Sequence, residues 1–210
     1  DLPDEELPGY DEPAPEYSVE ANTTALHTYH LRQVDRKLQL FVPYGPSASV
    51  SYKVTTRSAR LFSKKAEMDV WRTVPSIKRE EHVASVWFDN DGPLPWRPRA
   101  HFIHGSSSHA MESRNFSDWS IVINGTTYAW VFVSHPSCYL VLHEPVTDEV
   151  IARFNFSARG TTAHGGAEAG NLTIHRRHAV AAEGEGVEKI LCALIVTLAN
   201  FKKMGRHYKN

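Results

Sequence analysis

Apolar and polar residues alternate in short runs along most of the chain, and turn residues break these runs at nearly regular intervals. Residues 29–34 alternate, residues 37–42 alternate and stop at Pro43, and Asp35 and Arg36 between them read as the turn of a hairpin. After a turn at Tyr44, Gly45 and Pro46, residues 49–55 read as a third strand with Val50, Tyr52 and Val54 on one face. The same period of two recurs at 68–74, 82–88 and 119–123. Asn124 and Gly125 follow, the strongest short hairpin signal, and then a strand at 127–133. Residues 139–143 and 149–156 form another pair across a turn at 144–148, and 171–175 adds one more strand. Two stretches lack the alternation. Residues 89–115, with Gly92, Pro93 and Pro95 close together and Gly105 before three serines, are expected to form a long loop or insertion. Residues 159–170, rich in Gly, Ala and Thr, are expected to form a second, mobile loop.

One segment reads as a helix. Residues 186–204 are apolar nearly all round from Ile190 to Phe201, without the polar stripe of a surface helix, so the helix belongs in a core or in a membrane. The apolar stretch contains Thr197 and Asn200 and is shorter than the roughly 20 residues a span needs. It belongs in a core. A sheet that surrounds a helix on all sides is a closed barrel, which also removes exposed strand edges. The expected fold is therefore mainly β, a closed antiparallel β-barrel around a buried apolar C-terminal helix at about 186–204. The expected domain spans residues 28–205, between an acidic tail (1–27) and a basic one (206–210).

Charge divides the chain. The net charge is −1, yet residues 1–20 hold eight of the 24 acids and no Lys or Arg, leaving sixteen acids against 23 bases in the rest. The folded part is basic and attracted to anionic surfaces such as lipid headgroups, and the acidic segment can compete for the same face. With Pro3, Pro8, Pro13 and Pro15 among its acids, that segment cannot bury enough surface to offset its ordering entropy and is expected to be disordered. Cys138 and Cys192 have no zinc-site spacing, and whether they pair is open. No basic-then-apolar leader heads the sequence, so a cytoplasmic location is expected. Against this, Asn22, Asn115, Asn124, Asn155 and Asn171 each begin an Asn-x-Ser/Thr sequon, as in a secreted glycoprotein; the bland alternative is ordinary turn and strand chemistry.

Many short strands followed by one wholly apolar C-terminal helix is an unusual order. It resembles the tubby C-terminal-like superfamily, which includes the tubby proteins, the phospholipid scramblases and the LURP-one-related proteins. The opening hairpin at 29–43, the strand at 149–154 and the segment 188–201 carry the resemblance, which covers about residues 28–205. The whole chain is similar to fungal members that pair such a domain with a Pro-rich acidic tail. The resemblance implies a barrel of roughly twelve strands around a central helix, and a barrel surface that binds phosphoinositides. It assigns no ligand position here, and the chain departs from the scramblases in lacking their calcium-binding run.

The sharpest short motif is Leu7, Pro8 and Tyr10, a variant of the Pro-Pro-x-Tyr ligand of WW domains, with a weaker copy at Pro15 and Tyr17. An inert solvated tail is the bland alternative. Basic clusters come next: Arg57, Arg60, Lys64 and Lys65 near a turn, and Arg176 and Arg177 before the helix, all candidates for anionic lipid. Lys202, Lys203, Arg206 and Lys209 after the helix are explained by its dipole alone. None of these clusters interleaves with aromatics as nucleic-acid motifs do, so nucleic acid is not expected as a partner. His101, His104 and His109 lack carboxylate or Cys companions at ligand spacing, Ser106–Ser108 have no nucleophile elbow, and Gly184 and Gly186 are not in a dinucleotide loop. No metal, cofactor or catalytic residue is expected. The expected function is a monomeric, peripheral binding or adaptor domain for anionic phospholipid with a WW-type recruitment peptide. The alternatives are a hydrolase or transferase with its site in loops 89–115 and 159–170, or a secreted structural glycoprotein.

Overall fold

Alternation gives each strand one apolar face, and a sheet that curls until its first and last strands pair encloses that face completely. The computed structural model describes residues 25–44, 50–57, 65–74, 79–89, 97–113, 115–175 and 184–210. It contains strands β1 (Ala25–Gln33), β2 (Leu38–Tyr44), β3 (Ser51–Thr56), β4 (Met68–Val74), β5 (Arg79–Asp89) and β6 (Arg99–His104). Then come β7 (Ser107–Ser113), β8 (Trp119–Ile123), β9 (Thr126–Val133), β10 (Tyr139–Glu144), β11 (Glu149–Phe156), β12 (Ala167–His175) and helix α1 (Gly184–Lys203). Each strand pairs antiparallel with the next, and β1 pairs with β12 from Ala25↔His175 to Gln33↔Ala167, closing the barrel.

Helix α1 runs along the inside. Ile190, Leu191, Leu194 and Phe201 meet inward-facing Phe41, Phe102, Trp119, Trp130, Leu140 and Phe154, all of them fully buried. Each such side chain contributes about 1.5–3 kcal/mol relative to exposure, which is how a helix with almost no polar stripe is held. The outward faces carry ion pairs such as Lys53–Glu80 at 2.8 Å and His30–Glu168 at 3.0 Å. The mouth where α1 starts is the entry mouth, and the mouth where it ends is the exit mouth. β1 runs from the first to the second.

Two expectations fail, both where alternation was weak. Residues 89–115 are not a loop: β6 and β7 form a hairpin there around Gly105 (φ +58°), with Ala100, Phe102, His104, Met111 and Ser113 buried. Their inward row includes His and Ser, and their outward row includes Ile103, so hydropathy alternates poorly along a segment that is geometrically regular. Residues 159–170 are not a free loop either. Gly160–Thr162 form a single 3-10 turn, and β12 begins at Ala167. The basic residues 206–210 pack back on the barrel: the Tyr208 ring lies 4.1 Å from Phe132 and 4.9 Å from Phe201, and the Asn210 amide bonds the Cys138 and Phe156 carbonyls.

The remaining sequence marks fall into place. Asn124 (φ +52°) and Gly125 (φ +82°) make the tight β8–β9 turn. Cys138 and Cys192 are both free thiols, and burial pushes the Cys192 thiol well above its ordinary range. Asn115 caps its own turn through the Ser117 and Asp118 amides, while Asn155 and Asn171 pair side by side across β11 and β12. Trp119 and Trp130 are core, whereas Trp71 and Trp87 pack on His82 and His101.

Candidate functional site

The turns of the exit mouth collect cations. In the described turn residues there, the last turn of α1 and residues 204–210, ten Lys or Arg face three carboxylates, Asp35, Glu67 and Asp118. The corresponding described residues of the entry mouth, with the first six of α1, hold Asp148, Glu185 and Glu188 against Lys189. The helix contributes to this split, because acids near its start and Lys202 and Lys203 in its last turn each complement its dipole.

Several exit-mouth cations are already engaged. Arg57 bonds the buried Asp69 at 2.5 Å, Lys203 bonds Glu67 at 2.7 Å and lies 3.5 Å above the Phe88 ring, and Arg97 is 3.6 Å from Glu112. Lys202 turns its ammonium back onto the Gln33 amide oxygen, and desolvation there lowers its pKa. Arg206 donates to Ser117 Oγ at 2.7 Å. Arg36, Lys37, Arg159 and Lys209 remain exposed, with no carboxylate partner among the described residues.

These four lie on connected backbone. Gly165 and Gly166 donate to the Val34 and Gln33 carbonyls, which ties the β11–β12 loop to the β1–β2 turn carrying Arg36 and Lys37. Thr161 N donates to the Tyr208 carbonyl and Asn210 N to that of Ser157, which ties the same loop to the segment carrying Lys209. Gly160 is required at this junction: its φ is +49°, and a Cβ would fall 1.7 Å from the Tyr208 oxygen. The result is a fixed rim of four cations suited to an anionic surface.

The entry mouth spends its charges inside. Glu188, one turn into α1 and 4% exposed, accepts from Arg72 at 2.9 Å and lies 2.7 Å from His104 Nε2. Arg72 also donates to Glu81 at 2.7 Å. A bulge makes this possible. Val83 has no partner in β4, so the register past Val70↔Ala84 shifts and Glu81, in place of His82, comes opposite Arg72. Tyr29 and Tyr52 complete the network; burial raises both phenols, Tyr29 to about 12.

The residues singled out in the sequence are only partly brought together. Leu7, Pro8, Tyr10, Pro15 and Tyr17, and Arg60, Lys64, Arg176 and Arg177, lie outside the described residues. Lys65 stands exposed at the exit mouth beside the start of β4, while Arg57 is neutralised by Asp69. Of the enzyme alternative's two segments, the Gly105–Ser106 turn is at the entry mouth, while residues 97–98 and 115 stand at the exit mouth with residues 159–166. His101 faces outward to Asp89 and His104 inward to Glu188, so that pair cannot share an ion. Sequence reasoning missed Arg36, Lys37 and Arg159, because cations in separate turns form a cluster only once strand order is known. No model of a known family, no curated protein and no solved structure matches the chain.

Proposed function

We propose that the protein is a non-enzymatic binding module that docks on anionic phospholipid through its exit mouth. The carrying observation is the rim of Arg36, Lys37, Arg159 and Lys209, exposed, without a carboxylate partner among the described residues, and fixed on hydrogen-bonded backbone. At about 1 kcal/mol per basic residue near an anionic membrane, four such residues supply about 4 kcal/mol. The closed barrel around a central helix is the architecture that the resemblance to the tubby-like superfamily implies, which supports a surface role over an interior ligand. Among the described residues no helix is long and apolar enough to cross a membrane. Leu7, Pro8, Tyr10, Pro15 and Tyr17 then serve as the recruitment peptide for a WW-domain protein.

Co-sedimentation of the full chain with phosphatidylserine vesicles and with neutral vesicles, at two salt concentrations, tests the rim. Binding is expected only to the anionic vesicles, weakening as salt shortens the screening length. The variant Arg36→Gln/Lys37→Gln/Arg159→Gln/Lys209→Gln is expected to lose about a thousandfold in affinity. Equal sedimentation of that variant and the wild type would overturn the proposal.

A further inference from the structure

The cations of the exit rim have a candidate occupant within the chain itself. Arg36, Lys37, Arg159 and Lys209 have no carboxylate partner among the described residues, and neither has Arg32, exposed on the outward face of β1 near its exit end. Arg32, Arg36 and Lys37 thus follow one another from the outer wall of β1 into the turn after it. Every acid outside the described residues lies in residues 1–20, except Asp91 and Glu183. Residues 1–20 hold eight acids and no Lys or Arg, and they lead into the same strand, which begins at Ala25.

Length permits the two to meet. β1 starts at the entry mouth and runs nine residues to the exit mouth, about 30 Å at 3.3–3.4 Å per residue. Residues 16–24, if extended, suffice to retrace that length along the outer wall, which brings residues 1–15 level with the rim. Asp1, Asp4, Glu5, Glu6, Asp11 and Glu12 are among them. The segment cannot add to the sheet as a further strand, because β1 is already paired on both sides, with β2 and with β12. Side-chain charge is what remains to hold it, and there its sign is opposite to that of the rim.

We propose that residues 1–20 dock on the exit rim of their own barrel and compete with anionic phospholipid for it. This regulation rests on the reading of the rim as a lipid site. A short tether gives the segment an effective concentration on the order of 1 mM at the rim. An intrinsic affinity as weak as about 0.1 mM then keeps the rim about nine-tenths covered and weakens apparent vesicle binding about tenfold. Each contact is a charge pair in solvent, so salt loosens the segment as it loosens the membrane.

The test compares three forms of the full chain. One is the wild type, the second has the eight acids of residues 1–20 replaced by their amides, and the third adds Arg36→Gln/Lys37→Gln/Arg159→Gln/Lys209→Gln to the second. A labelled peptide of residues 1–20 is titrated into each without lipid and followed by fluorescence anisotropy. Saturable binding at about 0.1 mM is expected for the second form, about tenfold weaker binding for the wild type, whose rim is occupied, and none for the third. The second form should also bind phosphatidylserine vesicles about tenfold more tightly than the wild type, a gain that the four rim substitutions should abolish. No saturable binding of the peptide to the second form, or equal binding to the second and third, would overturn the proposal. Equal sedimentation of the wild type and the second form, both bound to vesicles, would overturn it as well. If neither sediments while the peptide binds through the rim, the docking stands and the lipid reading is what falls.

Discussion

The two mouths of the barrel are built from the same kind of hairpin, yet they treat charge in opposite ways. At the entry mouth Glu188, Arg72, Glu81 and His104 hold one another in a network that reaches the buried face of the helix. At the exit mouth Arg36, Lys37, Arg159 and Lys209 stand in solvent with no carboxylate partner among the described residues. Buried charges must be paired or they destabilise the fold, so the first set is a structural commitment. Unpaired surface cations contribute little to stability and are free to meet a partner. The comparison predicts a clean division: entry-mouth substitutions change stability and leave binding alone, and exit-rim substitutions do the reverse.

The largest effect should come from removing Arg72. Arg72→Met leaves the buried Glu188 carboxylate with His104 alone and should cost about 3 kcal/mol in chemical denaturation, near the low end for broken buried pairs because the Arg72 side chain is 37% exposed. Arg72→Met/Glu188→Leu, which removes both charges, should return to within about 1 kcal/mol of the wild type. Neither variant should alter sedimentation with anionic vesicles where it remains folded. If the double variant is as unstable as the single one, the network is not what holds the entry mouth, and the contrast between the mouths fails there.

A smaller effect tests how the rim is held. Gly160→Ala puts a side chain on a left-handed residue and into the Tyr208 carbonyl, with an expected cost of about 2 kcal/mol. The C-terminal segment should detach first. Proteolysis should then cut after residue 204 in the variant and not in the wild type, and vesicle binding should weaken because Lys209 leaves the rim. Loss of stability with an intact C-terminus would show that the loop, and not its seam with Tyr208, carries the strain.

How much of this was legible in the sequence differs by level. The barrel was, because an apolar helix too short for a membrane needs a sheet on every side, and ten of the twelve strands keep a readable period of two. β6 and β7 were not, because His101, His104, Ser107 and Ser113 occupy strand positions whose facing is set by neighbours. The rim was legible only as net charge. Arg36 and Arg159 are 123 positions apart in sequence and come onto one seam only because β1 pairs with β12. The Glu188 network was hidden for a sharper reason. Its geometry depends on a single unpaired residue, Val83, and a one-residue bulge leaves no mark in hydropathy.

The smallest effect is one of pH, and it separates the mouths without any substitution. At the entry mouth burial lowers the pKa of His27 and of His109, the latter also repelled by Lys189 and His104. A lowered folded pKa means the unfolded chain binds more protons, so this stability is complete above 6.5 and declines as pH falls through that value. Burial raises Cys192, Tyr29 and Tyr52, so their contribution is complete below their unfolded values of 9.0 and 10.0 and declines as pH rises past them. Denaturant midpoints should therefore plateau between about pH 6.5 and 9 and fall on both sides. His27→Leu/His109→Leu should flatten the acid limb alone. The rim is built of Arg and Lys alone, so sedimentation with phosphatidylserine vesicles should stay level from pH 6 to 9 while stability bends at its edges. Binding that bends together with stability would mean the exit rim is coupled through α1 to the network at its other end, and the two mouths would then have to be read as one device.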